Sequence, residues 1–189
     1  MDLRYVKSAA YHEAGHTVVA AAQEMPLRHP GIHLDPDGSG ISFYWFKKPG
    51  EVGTDLERER TIISAGAGWA AQIRFYPRCP EAGASDDVNL ITELLNEMYS
   101  SGSQAWHAAE GRLYAESQRL VERHWSAIEA LAVALWAKPW TPRTPDKERE
   151  WSKGRQEKWM DGTEVDSILQ EFDIHTIIVD DSAGKYDAT

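Results

Sequence analysis

His12, Glu13 and His16 are the residues whose types and spacing best suit chemistry. They lie in Ala10-Tyr11-His12-Glu13-Ala14-Gly15-His16, which carries the pattern H-E-x-x-H. On a helix, residues four apart differ by about 40° around the axis, so both imidazoles project from one face. Both can then reach one metal ion at roughly 2.0–2.1 Å per bond. Glu13 points to the edge of that face, where its carboxylate can take a proton from water instead of binding the metal. Two imidazoles fill two of the four positions around zinc. A catalytic site needs a third protein ligand and leaves the fourth position to water. Asp86, Asp87, Glu93 and Cys79 are the candidates for that third ligand, and spacing alone leaves the choice open. His107 and His124 read as structural histidines, and His29, His33 and His175 carry no ligand spacing.

The pair of histidines needs a helix under it, and the flanks supply one. Tyr5, Val6, Ala9, Ala10, Ala14, Thr17, Val18, Ala21 and Ala22 are apolar or small at helical spacing, and Pro26 marks the stop. Next come two strand-like runs, Ile32–Leu34 and Ile41–Phe46, around the turn cluster Asp35-Pro36-Asp37-Gly38-Ser39-Gly40. A hairpin is expected there. Thr54-Asp55-Leu56-Glu57 is a capping box, so a second helix starts at this point and runs to Pro77. Its small residues, with Gly15, would let it lie close to the histidine helix. Ser85 is suited to cap a third helix, and acidic residues are favoured in a first turn. From Ser103 to Ala137 the pattern is helical throughout. One straight helix of that length would reach about 50 Å, so a break is expected, with Gly111 the candidate. Pro139, Pro142 and Pro145 end it. Asp146 to Lys158 reads as a solvated, charge-rich helix, with Trp151 and Trp159 as packing anchors. Ile174 to Val179 is strand-like, and 180–189 reads as a tail.

The 189 residues suffice for one domain with a sizeable core, and the apolar fraction of 42% suits a globular protein. The formal net charge of −10 offers no basic stripe for phosphates, which argues against a nucleic-acid partner. One cysteine, Cys79, permits no internal disulfide and fits a reducing, cytoplasmic setting. No signal peptide is expected from the charged first residues, and no apolar run approaches the ~20 residues that span a bilayer.

The wider string AYHEAGHTVVA resembles the peptidase domain of the FtsH-type AAA zinc metalloproteases. ISAGAGWAAQIRFYP is similar to that family's second helix, and Gly83-Ala84-Ser85-Asp86-Asp87-Val88 to its G-A-S-x-D-L segment. Trp159-Met160-Asp161-Gly162-Thr163-Glu164-Val165 resembles its closing L-x-G-x-E-V motif. The resemblance covers about residues 5 to 172. It implies a mainly α (α+β) fold, with a small β-hairpin or sheet beside the metal helix. It implies a peptidase-like domain over 1–172 with an insertion at about 138–158, followed by a C-terminal segment over 173–189. Matched residue by residue, it makes Asp87 the third ligand beside His12 and His16, with Zn2+ as the cofactor and Glu13 as the catalytic base. An edge strand at Ile41, Ser42, Phe43 and Tyr44 would pair with a polypeptide substrate. Asp37 departs from the basic residue the family usually carries in that turn. Larger departures are the missing phosphate loop and the missing membrane helices. The expected activity is therefore ATP-independent hydrolysis of unfolded proteins or peptides, alone or with a separate unfoldase or regulatory partner. The family's precedent for assembly is a hexamer. The competing expectation is a non-catalytic, metal-binding interaction or regulatory protein that keeps the peptidase fold.

Overall fold

A computed structural model describes residues 3–79, 85–142 and 156–179. Its organising element is α1 (Leu3–Ala22), where fifteen of the twenty residues are buried. The sequence explains this: alanines, valines and one glycine leave the helix slim on every side, so neighbours close around it. β1 (Leu27–Leu34) and β2 (Gly40–Tyr44) follow, then α2 (Asp55–Phe75), α3 (Ser85–Met98), α4 (Gln104–Arg123) and α5 (Trp125–Ala137). β3 (Thr141–Pro142), β4 (Gln156–Met160), α6 (Gly162–Gln170) and β5 (Ile178–Val179) complete the order. Among the described residues the molecule is thus mainly helical, α+β, with one small sheet. No helix among them is long and apolar enough to cross a membrane.

α2 begins with the expected capping box. Thr54 Oγ1 accepts from the Glu57 amide at 3.2 Å, and the Thr54 amide donates to Glu57 Oε2 at 2.7 Å. α2 packs along α1 at very short range. A Cβ on Gly15 would stand 2.6 Å from the Ala67 carbonyl oxygen and 2.8 Å from Ala71 Cβ. The close helix approach expected from small residues is therefore present. One turn before Gly15, Tyr11 extends the same contact, stacked on Phe75 at the end of α2 with ring centroids 3.9 Å apart and on Trp125 of α5 at 5.7 Å.

The sheet order is β2-β1-β4-β3, and β5 pairs with β1 in parallel. β1 and β2 form the expected antiparallel pair, with Ile32 opposite Ser42 and Leu34 opposite Gly40. β1 starts earlier than the apolar run suggested, at Leu27, because the irregular stretch before Ile32 absorbs Pro30 and Gly31. β2 ends at Tyr44, two residues before Phe46, where the Trp45 amide turns to donate to the Pro26 carbonyl. β2 is an edge strand of the described sheet, with β3 at the opposite end.

Three expectations need correction. The break in the long helical stretch falls at His124, not at Gly111. A Cβ at Gly111 would meet open space, so nothing there forces a bend, and α4 runs through it. At His124 the backbone leaves the helix (φ −106°, ψ 20°) and sends Ile128, Leu131 and Leu135 into the core beside α1. Residues 156–158 are not helical: β4 pairs with β1 through Leu34–Lys158 and with β3 through Thr141–Glu157. The rest of the expected charge-rich helix, Trp151 included, lies outside the described residues, as do the 180–189 tail and Gly83 and Ala84. The strand-like run 174–179 shrinks to Ile178–Val179, which adds to this chain's own sheet.

Candidate metal centre

α1 presents His12, Glu13 and His16 to one side, all buried although polar. The first turn of α3 brings Asp87 to the same place, 75 residues beyond His12. Asp87 Oδ2 lies 3.0 Å from His12 Nε2 and 3.4 Å from His16 Nε2. Bonds of 2.0–2.1 Å at tetrahedral angles separate two ligand atoms by about 3.3 Å, so these spacings fit the edges of a metal's coordination shell. Among the described residues, His12, His16 and Asp87 form the one group of three or more candidate ligand side chains that could hold a metal ion.

The remaining candidates fall elsewhere. Asp86 and Glu93 are exposed on α3. Cys79 lies behind His12, 3.2 Å from Gln72 Nε2 and 3.5 Å from Ser8 Oγ. His107 is exposed beside Glu110, and His124 sits at the break between helices.

α2 decides which imidazole nitrogen faces the cluster. Gln72 Nε2 donates to Ser8 Oγ at 3.0 Å and to Cys79 Sγ, which fixes the amide so that Oε1 faces His12. His12 Nδ1–H donates to that oxygen at 2.9 Å. His16 Nδ1–H donates to the Ser64 carbonyl at 2.8 Å. Both Nε2 atoms are thereby left to accept a metal, the usual arrangement for ligating histidines. Between the two partners sits Gly68, where a Cβ would collide with both imidazoles. Ser64, Gly68 and Gln72 are thus a stripe at four-residue spacing that mirrors His12 and His16 across the helix pair. The sequence reading missed Gly68 and Gln72 as site residues. The available signal was a lone glutamine four and eight residues from Gly68 and Ser64 in the small or apolar stretch between Ile62 and Ile73 of α2.

β2 closes the site from the other side. Gly40 lies against Glu13, where a Cβ would approach Glu13 Cγ at 2.6 Å. Ser42 lies close enough to the Glu13 carboxylate to favour its charged form. The Tyr44 ring stands 6.4 Å from the His16 ring.

The charges are arranged for a cation. Burial pushes the Glu13 carboxyl up; His12 and His16 oppose this, and Asp87 adds to it. Burial would also raise Asp87, but the His16 and His12 rings outweigh it and hold the carboxyl well below its usual range. At His16, burial works against protonation, yet the Asp87 carboxylate prevails and lifts the ring to about 9. Two carboxylates in a buried pocket with two imidazoles are a set whose charge a divalent ion would balance. No known protein family model and no curated protein matches the chain.

Proposed function

We propose that this chain is a zinc-dependent peptidase of the FtsH-like kind, acting on unfolded polypeptides or peptides without ATP. The observation that carries the reading is the pairing of two roles in one buried site. His12, His16 and Asp87 converge with both Nε2 atoms free of other partners, and Glu13 lies beside them without joining them. Two imidazoles and a carboxylate with one position left over suit catalytic zinc. When bound, the ion supplies acidity to a water and polarises a carbonyl oxygen.

The other steps belong to side chains. Glu13 accepts the proton of the attacking water and returns it to the departing amine nitrogen. The edge of β2 at Ile41, Ser42, Phe43 and Tyr44 would hold an extended substrate by main-chain hydrogen bonds. The single cysteine is consistent with a reducing, cytoplasmic setting.

The test is Glu13→Gln. The amide keeps the size of the carboxylate but not its basicity. Hydrolysis of a fluorogenic peptide should fall by about 10²–10⁴-fold while zinc content by elemental analysis stays unchanged. The same analysis distinguishes zinc from iron, which a two-histidine, one-carboxylate set also holds. Zinc lost along with activity would remove Glu13 from the role of base. Unchanged zinc with no hydrolysis in either protein would favour the non-catalytic metal-binding reading.

A further inference from the structure

A buried hydroxyl beside the cluster stands without a partner. Tyr44 is 7% exposed, and among the described residues its phenol oxygen makes no hydrogen bond. Buried polar groups are nearly always paired, because leaving one unpaired is unfavourable. If Tyr44 served only to pack against Ala20, Met25 and Phe46, a phenylalanine would fill the same space without that penalty.

Its position explains the hydroxyl better than packing does. β2 runs beside α1, and strand alternation turns residues 40, 42 and 44 to one face. Gly40 and Ser42 meet Glu13, and Tyr44 comes next, against His16. Burial pushes the Tyr44 phenol well above its usual range, and the Asp87 and Glu13 carboxylates add to this. Tyr44 therefore sits next to His16, on the strand face whose Gly40 lies against Glu13.

We propose that Tyr44 is a catalytic residue whose phenol O–H donates a hydrogen bond to the oxygen of the scissile carbonyl as that oxygen gains negative charge. This rests on the peptidase reading above. Water adds to the carbonyl carbon, forming a C–O bond, and the C=O π pair moves to the oxygen. Glu13 takes the proton of the water, and Tyr44 keeps its own while sharing it across the hydrogen bond. On collapse the C=O bond re-forms and the C–N bond breaks. The nitrogen takes the bond pair and then the proton from Glu13. A fixed donor aimed at developing charge binds the transition state more tightly than the substrate, so it acts on kcat more than on KM. Its role is distinct from that of the β2 main chain, which would position substrate in both states.

Tyr44→Phe tests this, since it removes one oxygen and keeps the ring. In the zinc-loaded protein kcat should fall about 10²–10³-fold, with KM within about twofold and zinc content unchanged. A phosphinic peptide, which mimics the tetrahedral state, should bind more weakly by the same factor in calorimetry, a readout independent of turnover. Unchanged kcat in an active protein would overturn the role of Tyr44 and leave the peptidase reading intact. Lower kcat with unchanged phosphinic-peptide affinity, or loss of zinc, would overturn it in favour of a positional role. A zinc-loaded wild type that cleaves nothing, like its Glu13→Gln variant, would remove the peptidase reading and this proposal together.

Discussion

Gln72 is 1% exposed, and every polar atom of its side chain is in use. Its carbonyl oxygen is what holds His12 in the tautomer that leaves Nε2 to a metal. Gln72→Leu keeps the bulk and removes that oxygen, so zinc affinity should fall about 10–100-fold by competition with a chelating dye. Cys79→Ala leaves the oxygen in place and should change affinity by no more than about twofold. Equal losses in both variants would mean that Gln72 acts through packing and not through His12. At this scale the sequence made part of the site legible. His12, Glu13 and His16 share one helix, so their spacing carries the geometry. Asp87 differs from Asp86 only by the rotation of α3, which spacing within the segment does not reveal. Gln72 and Gly68 reach the site across helix–helix contacts, and a one-dimensional pattern carries no record of which faces meet; Tyr44 was legible only as part of an edge strand, not as a neighbour of His16.

Two glycines in helices test the packing of the elements with opposite signs. In a free helix, glycine to alanine is worth up to about 1 kcal/mol of stability. Gly111 on α4 has nothing within reach of a new Cβ, so Gly111→Ala should stabilise by about 0.5–1 kcal/mol. Gly15→Ala should do the reverse, because its Cβ would meet the backbone of α2 at 2.6 Å. Overpacking of that kind costs about 1–3 kcal/mol. Urea unfolding of the two variants reads both changes, and a stabilising Gly15→Ala would mean that α1 and α2 do not lie this close. Elements with local signals were legible: the Thr54–Glu57 capping box opens α2, a strand lies within each of the two runs read as strands, and helix begins directly after Ser103. The bend at His124 was not, because it follows from where α1 needs Ile128 and Leu131. Residue preference at the bend itself does not specify it.

The molecule as a whole is unevenly secured. α1 is enclosed on all sides, whereas α3 buries only Leu94 and Leu95. Yet α3 carries the third candidate ligand, so an ion held by His12, His16 and Asp87 would tie the least anchored helix to the most anchored one. An ion that binds only the folded state, free at about 100 times its Kd, adds about 2.7 kcal/mol. Chelation should then lower Tm by roughly 5–10 °C. Amide hydrogen exchange should speed up in α3 on chelation and stay slow in α1. Equal acceleration in both helices would contradict this division. The same arrangement sets an order of events during synthesis. His12 and His16 leave the ribosome 75 and 71 residues ahead of Asp87. A nascent chain can offer two imidazoles but not the full donor set, so tight loading must wait until α3 has been made and seated, and the pace of metal uptake is set by the docking of that helix.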